Sequence, residues 1–308
     1  IRTAKEPSYT IRQASAKDVG TYFAIVSNEA GTDRSRNMNL ILKREGSTGI
    51  GFPWVSRFEP LQEGFHRPND VTTDEAGNVY VVGEVPNERG DADFVVIKYN
   101  KEGREEWSRL LDPSEGQNDT AQSVQLHANG NIIVLGTANA RGSGNANPVN
   151  NTPKIVVASL NSDGEIDWVE GLSLESNRGA EAVDLALAPD RDILLTGTVL
   201  GAQNQDIVTA RFTANGRQLW APIFDGGGKD TSSSIATDRS GNALVVGTSF
   251  SRSGGDDIIA IFYNLRGTEI WNRPATSEGQ NDDIGTSALF DSRGRPIVVG
   301  AINNQSTG

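Results

Sequence analysis

The sequence predicts an all-β fold built from a repeated four-stranded unit. The 308 residues include 34 glycines and only 36% hydrophobic residues, a composition typical of a turn-rich chain. Short β-branched runs are separated by Gly, Asn and Asp turns, with no helical period between them. Tryptophans recur along the chain at intervals of 51 to 61 residues: Trp54, Trp107, Trp168, Trp220 and Trp271.

A glycine within an apolar run repeats at the same interval. The five glycines are Gly83, Gly136, Gly197, Gly247 and Gly300. A Gly-Asn turn comes before most of these runs, but the third repeat has Arg191 and Asp192 there. The order of landmarks is the same in at least four copies, and this indicates true internal repetition.

Each repeat contains four predicted strands, which in the first copy read "DVTTD", "NVYVVGEV", "DFVVIKYN" and "EEWSRLL". Repeats of ~40–50 residues with four strands are typical of β-propeller blades. The middle strands are apolar at consecutive positions, as expected for a sheet covered on both faces. The longest repeat carries an insertion, Arg141–Pro153, which its composition predicts to be a surface loop.

Four of the tryptophans follow a glycine in a Gly-x-x-x-Trp pattern. We expect the glycine to end a tight turn between the third and fourth strands, with a positive φ that favours Gly. The indole then points toward the adjacent blade and packs there. The alternative is a stacking platform for sugars or a planar cofactor.

The pattern D-x-x-G-N-x-x-V-x-G, followed by D-x-x-V-x-x-Y-x-x-x-G-x-x-x-W, extends over residues 54–303. It resembles the SBBP-type β-propeller repeats of bacterial secreted and surface proteins, which share a fold but no activity. The Gly-x-x-x-Trp turn is also similar to the tryptophan-docking motif of pyrroloquinoline-quinone propeller enzymes. Their quinone site has a vicinal cysteine pair and a calcium-binding carboxylate cluster. This chain has no cysteine, so we expect no quinone cofactor.

The first forty residues have a different pattern. Asp18, Gly20 and Tyr22 form an Asp-x-Gly-x-Tyr motif, and Asn28 and Gly31 suit a hairpin turn. The segment resembles the last strands of an intermediate-type immunoglobulin-like domain, whose corner tyrosine bonds back to the backbone. We expect the chain to be an internal part of a longer multidomain protein. The predicted domains are residues 1–42 (the C-terminal half of an immunoglobulin-like domain), 43–53 (linker) and 54–308 (about four and a half blades).

Charge and composition exclude several function classes. A net charge of −12 argues against a nucleic-acid partner, which needs clustered lysine and arginine. No apolar run reaches the ~18 residues of a membrane span. The absence of cysteine excludes thiol catalysis. The two histidines, His66 and His127, belong to no recognisable catalytic motif, and His127 lies in a turn where a polar loop residue suffices.

The hexapeptide "SEGQND" occurs twice, and each copy precedes the first strand of a blade. If a metal binds, calcium is the possible ion, and Asp119, Asp282 and Asp283 are the first candidate ligands. The alternative is an aspartate that orders a turn through local backbone N–H groups, which we favour because no EF-hand-type loop occurs.

A second acidic set precedes the third strands: Asp91, Asp93, Asp206, Asp256 and Asp257. Recurrence at one position suggests a structural bond or an edge charge that blocks strand pairing. The alternative is a ring of carboxylates on one face of the propeller. Lys154 replaces the acid in the second repeat.

These patterns predict a non-catalytic module of an extracellular, cell-surface or periplasmic protein. Its loops would bind a protein or glycan partner for adhesion or assembly, without a cofactor. The alternative is an enzyme or carbohydrate-binding propeller that acts through its central funnel. Convergence of acids and aromatics at one face would favour the alternative, and scattered loops would favour the scaffold.

Overall fold

The fold is known from a computed structural model. It describes the strands of residues 20–22, 25–28, 31–34 and 38–40, and, with their side chains, residues 54–56, 58, 66–140, 152–174, 178–201, 204–250, 255–275 and 282–302. All regular elements in these ranges are β-strands, which confirms the all-β prediction. Contacts divide the chain into two compact units, Ile1–Val55 and Ser56–Gly308.

The described part of the first unit contains four short strands in two pairs. They are β1 (Gly20–Tyr22), β2 (Ile25–Asn28), β3 (Gly31–Arg34) and β4 (Met38–Leu40). Strand β1 pairs with β4, and β2 pairs with β3 so that Asn28 faces Gly31 across a hairpin. The Tyr22 side chain and the predicted linker lie outside the described residues, and the immunoglobulin-like assignment stays a prediction.

The second unit contains four complete antiparallel sheets, called blades 1 to 4 here. Blade 1 has β5 (Arg67–Thr73), β6 (Val79–Pro86), β7 (Ala92–Tyr99) and β8 (Glu105–Leu111). Blade 2 has β9 (Thr120–Leu126), β10 (Ile132–Ala138), β11 (Lys154–Leu160) and β12 (Ile166–Gly171). Both are meanders, in which strands adjacent in sequence are adjacent in the sheet.

Blades 3 and 4 repeat this order. Blade 3 has β13 (Gly179–Leu187), β14 (Ile193–Leu200), β15 (Gln205–Phe212) and a fourth strand split into β16 (Gln218–Trp220) and β17 (Ile223–Phe224). Blade 4 has β18 (Asp230–Thr237), β19 (Ala243–Phe250), β20 (Asp256–Tyr263) and β21 (Glu269–Ala275). A further pair, β22 (Ile284–Phe290) and β23 (Pro296–Ala301), begins a fifth repeat.

The core lies between successive blades. The first strands contact one another in series, from β5 through β9, β13 and β18 to β22. Apolar side chains of β10 and β11 pack against those of β13, β14 and β15 in one buried cluster. The second and third strands are therefore covered on both faces, which explains why they are apolar at consecutive positions.

The recurring glycine of the second strand lies where the chain leaves no room for a side chain. A Cβ at Gly197 would lie 2.5 Å from the carbonyl oxygen of Glu181 and 2.4 Å from Ile155 Cδ1 of the preceding blade. The facing strand β13 has a bulge at this point, between Ala182 and Asp184. The same crowding occurs at the four equivalent glycines: Gly83, Gly136, Gly247 and Gly300.

Three of the indoles contact the following blade. Trp220 of blade 3 packs against Gly267, the turn glycine of blade 4. The contact is so close that a Cβ added at Gly267 would lie 2.7 Å from the ring. Gly267 has a φ of 79°, and Trp220 Nε1 donates to the Leu265 carbonyl at 3.1 Å. Equivalent contacts join Trp107 to Gly164 and Trp168 to Gly216. Trp271 stacks on Phe262, with ring centroids 5.3 Å apart, and Trp54 is half-buried.

Candidate functional site

The indole of Trp107 and the carboxylate of Asp112 lie at opposite ends of blade 1. Trp107 lies near the start of β8, next to the turn between the third and fourth strands, whereas Asp112 directly follows the end of β8. Five residues of extended chain span about 16 Å. We call the end that carries Asp112 the acidic end. The connections between second and third strands, and those from one blade to the next, lie at this end.

Three carboxylates meet at the acidic end of the junction between blades 1 and 2. In this cluster 1, Asp93, Asp112 and Asp119 each place an oxygen within 4.8 Å of the other two. Asp93 is the second residue of β7, Asp112 follows β8, and Asp119 precedes β9 of the next blade. Asp93 and Asp119 are 5% and 0% exposed, so only Asp112 is open to solvent.

Local donors satisfy Asp119. The amide of Ser114 donates to Oδ2 at 3.0 Å, and the amide of Asn139 donates to Oδ1 at 2.8 Å. The Ser114 hydroxyl also donates to Oδ1. Asp119 thus orders the first "SEGQND" segment through hydrogen bonds, as expected for an aspartate in a turn. Burial raises the pKa of its carboxyl, and these donors act in the opposite direction.

The other members of cluster 1 also have partners. Asn87 Nδ2 donates to Asp93 Oδ1 at 2.9 Å, and the Arg89 guanidinium pairs with Asp112. Burial raises the pKa of Asp93 to about 6, and the negative charges of the neighbouring aspartates, including Asp112 and Asp119, add to the effect. Arg89 also lies 3.7 Å from Asp91, so it neutralises part of this charge.

A second set of carboxylates occupies the equivalent positions between blades 3 and 4. In this cluster 2, Asp206, Asp225 and Asp230 place one oxygen each within 4.8 Å of the others. Asp206 is the second residue of β15, Asp225 follows β17, and Asp230 begins β18. Asp206 and Asp230 are 2% and 0% exposed, and Asp225 is exposed.

Among the described residues, cluster 2 has fewer donors than cluster 1. Arg178 pairs with Asp206 Oδ2, and the amide of Gly226 donates to Asp230 Oδ2 at 2.6 Å. Within the described ranges, Asp206 Oδ1 and Asp230 Oδ1 are buried without a hydrogen-bond partner. Burial raises the pKa of Asp230, and the charges of Asp206 and Asp225 raise it further, whereas the nearby Ser249 hydroxyl and the Gly226 amide act in the opposite direction.

Among the described residues, the junction between blades 2 and 3 has no such cluster, because other residue types fill its positions. Lys154 takes the place of Asp93. In each blade the residue lies on the third strand, two positions before the residue that pairs with the recurring glycine of the second strand, Gly136 or Gly83. Ala180 takes the place of Asp119, and its amide donates to the Pro153 carbonyl at 2.9 Å, as that of Asp119 does to Ala92.

The carboxylates predicted as metal ligands lie at two different junctions. Asp119 belongs to cluster 1, whereas Asp282 and Asp283 lie between blade 4 and β22. The amide of Asp283 donates to the Asp256 carbonyl at 2.5 Å, and Asp282 Oδ1 accepts from the Asp256 amide at 3.0 Å. Asp283 therefore corresponds to Asp119, although the hexapeptides align Asp282 with it. Residues 276–281 lie outside the described ranges.

The acids that precede third strands are distributed over separate junctions. Asp93 and Asp206 belong to clusters 1 and 2, Asp91 lies beside Arg89, and Asp256 and Asp257 begin β20. Their partners are local, as in the pairing of Asp206 with Arg178. This arrangement favours the structural interpretation of these residues over a single carboxylate ring.

Sequence reasoning did not single out the exposed members of the clusters, Asp112 and Asp225. A usable signal existed, because each stands five residues after the tryptophan of its repeat. The donor Arg178 carried no such signal, since it lies in a connection that differs between repeats, whereas Ser114 begins the first copy of the repeated hexapeptide.

Comparisons with known proteins support the fold. Residues 220–251 match the SBBP family model, described as a beta-propeller repeat. No curated protein matches the chain. Together with the four-stranded sheets, the repeat match gives a β-propeller fold. None of the residues described above belongs to a helix long and apolar enough to cross a membrane.

Several solved structures are similar in fold. An ulvan lyase, described as a new family of polysaccharide lyase, is 11% identical with a TM-score of 0.50, and the match covers 74% of this chain. This chain spans only 59% of the ulvan lyase. A protein of unknown function from Dyadobacter fermentans is 15% identical, with a TM-score of 0.45 and coverage of 76% and 74%. The arabinofuranosidase of Fusarium graminearum is 11% identical, with a TM-score of 0.44 and coverage of 70% and 72%.

Proposed function

We propose that this chain is a non-catalytic module of an extracellular or cell-surface protein. In this proposal the connections at the acidic end of its blades bind a protein or glycan partner. The separation of the buried carboxylate clusters 1 and 2 from the indoles carries the proposal. Trp107 and Asp112 lie at opposite ends of one strand, so these clusters do not meet the indoles as they would in a sugar-processing funnel.

Burial of the carboxylates supports the same interpretation. General acid–base catalysis requires a side chain within hydrogen-bond reach of the reacting group, and glycoside hydrolysis requires two such carboxyl groups. In cluster 1 and cluster 2 a single member is exposed: Asp112 and Asp225, respectively. A substrate could reach one carboxylate in each cluster but not a pair.

The framework suits the display of loops. The strands pack in a repeated way, whereas the connections at the acidic end vary in length and sequence. The connection after β6 holds Asn87 and Arg89, and the one after β10 contains the insertion Arg141–Pro153. Variable loops on a rigid scaffold are a common basis for recognition. The net charge of −12 favours partners with basic or neutral surfaces.

The competing proposal is a glycan-active enzyme that uses the central funnel. The ulvan lyase named above acts on a polysaccharide, and at 11% identity its likeness concerns the fold alone. A glycan array and a cleavage assay with the same glycans separate the two proposals. We expect either binding without shortened products or no glycan binding, the latter indicating a protein partner. Shortened products that disappear in Asp93→Asn would overturn the non-catalytic proposal.

A further inference from the structure

Cluster 2 has the geometry of a cation site. Calcium binds six to eight oxygens at about 2.3–2.6 Å, so two of its ligand atoms lie at most about 5 Å apart. One oxygen each from Asp206, Asp225 and Asp230 meets this condition, because all three lie within 4.8 Å of one another.

The charge of cluster 2 is not balanced within the described residues. Asp206 and Asp230 are at least 98% buried, and Arg178 pairs with Asp206 alone. Buried charges in proteins are normally paired or coordinate a metal. The amides of Gly226 and Gly227 donate to Asp230 and Asp225, which favours the ionised carboxylates.

Two oxygens point independently to a ligand. Asp206 Oδ1 and Asp230 Oδ1 are buried and accept no hydrogen bond from the described part of the chain. The second oxygen of each carboxylate is already used, by Arg178 and by Gly226. An orphaned buried acceptor costs free energy unless a donor or a cation satisfies it.

We propose that Asp206, Asp225 and Asp230 bind a divalent cation, with calcium preferred, which joins blade 3 to blade 4. The donor set contains oxygen alone, so it suits a hard cation rather than zinc or copper. Asp206 belongs to β15, Asp225 follows β17, and Asp230 begins β18 of the next blade. Calcium tolerates irregular ligand arrangements, whereas magnesium requires a near-ideal octahedron.

Cluster 1 provides the internal control, because its equivalent positions are already satisfied. Asp119 accepts from Ser114 and Asn139, and Arg89 pairs with Asp112. Among the described carboxylates we therefore infer one cation site, at cluster 2. The alternative occupant of cluster 2 is a proton shared between Asp206 and Asp230.

The test is calorimetric titration of the chelator-treated full chain with calcium, and separately with magnesium. We expect one calcium per chain and weaker magnesium binding. Asp225→Asn should lower calcium affinity at least about tenfold, the scale on which even indirect changes at metal sites act. Asp112→Asn should leave affinity and stoichiometry unchanged. Both variants alter an exposed side chain, so neither should prevent folding.

Thermal unfolding gives a second measurement on the same proteins. Millimolar calcium should raise the Tm of the unaltered chain and of Asp112→Asn, because a ligand that binds only the folded state stabilises it. Asp225→Asn should show a smaller rise. The proposal is overturned if calcium gives neither heat nor a Tm shift, which would favour the shared proton. It is also overturned if Asp112→Asn loses binding while Asp225→Asn keeps it.

Discussion

The junction between blades 1 and 2 and the junction between blades 3 and 4 are alike at their aromatic ends. At the first, Lys98 Nζ and Trp107 Nε1 lie 3.4 and 3.2 Å from the Ser162 carbonyl of the next blade. At the second, Arg211 and Trp220 donate to the equivalent carbonyl, that of Leu265, at 3.4 and 3.1 Å. At each junction, one positively charged side chain and one indole thus donate hydrogen bonds to a turn carbonyl of the next blade.

The acidic ends of the same two junctions differ. Each has three aspartates at equivalent positions, but the connecting segments supply different donors. Ser114 and Arg89 satisfy cluster 1, whereas two oxygens of cluster 2 accept no hydrogen bond from the described part of the chain. The comparison teaches that a repeated residue pattern defines where carboxylates meet, and that the non-repeated loops decide what they bind.

The largest expected difference between the junctions concerns their positively charged side chains, Arg211 and Lys98. Arg211 is 1% exposed and bonds to Asp190, Asp192 and the Gly241 carbonyl. Arg211→Met should lower the free energy of unfolding by about 3–5 kcal/mol, because it removes several charge-assisted hydrogen bonds and takes the donor away from the buried Gly241 carbonyl. Lys98→Met, at the more accessible junction, should cost about 1 kcal/mol or less. Urea denaturation measures both, and equal losses would contradict the comparison.

The two indoles should be equivalent. Trp107→Ala and Trp220→Ala each remove a half-buried ring from a turn glycine, Gly164 or Gly267. We expect each to cost about 2–4 kcal/mol, somewhat less than a fully buried ring. The measurement is again the urea midpoint. A loss near zero for either variant would show that its ring does not hold the junction.

Cluster 1 should give a pH dependence through Asp93. Its pKa is raised from 3.8 to about 6, so the folded chain binds this proton more tightly than the unfolded chain. The corresponding stability is present below pH ~4 and is lost as the pH rises through about 6. Its total is about 1–3 kcal/mol. Denaturation from pH 4 to 7 should show this loss in the unaltered protein and not in Asp93→Asn; parallel profiles would contradict it.

The smallest expected effect concerns the turns before the second strands. Arg191 of blade 3 has a φ of 73°, where the other turns have a glycine, such as Gly241 in blade 4 with a φ of 77°. Arg191→Gly should stabilise by up to about 1 kcal/mol, because the left-handed conformation is unfavourable for other residues. Gly241→Ala is the matched control and should destabilise. Thermal unfolding measures both effects. A lower Tm for Arg191→Gly than for the unaltered chain would contradict the predicted backbone strain at Arg191.

The repeated part of the fold was predictable because its landmarks have local physical causes. The second-strand glycines face a bulge, as Gly197 faces Glu181, and the turn glycines have a positive φ, as Gly267 does. Apolar runs and turn chemistry therefore predicted the four strands of blade 1 at the right places, as in Val79–Pro86 and Ala92–Tyr99.

The candidate site was predictable only in part, because its contacts depend on how blades dock. His127 seemed a plain turn residue in sequence, yet it is 5% exposed and its Nε2 lies 2.8 Å from the Arg191 carbonyl of the next blade. The equivalence of Asp283 with Asp119 was hidden by one additional residue after the hexapeptide. Such contacts join residues far apart in sequence, and no local propensity encodes them.

The tryptophan contacts run in one direction along the chain. Three rings contact the turn glycine of the following blade: Trp107 contacts Gly164, Trp168 contacts Gly216, and Trp220 contacts Gly267. A duplicated blade inserted at any of these junctions would carry a tryptophan that packs on the following blade and a turn glycine that receives the tryptophan of the preceding blade. Gene duplication could therefore lengthen the array without requiring a new type of interface between blades.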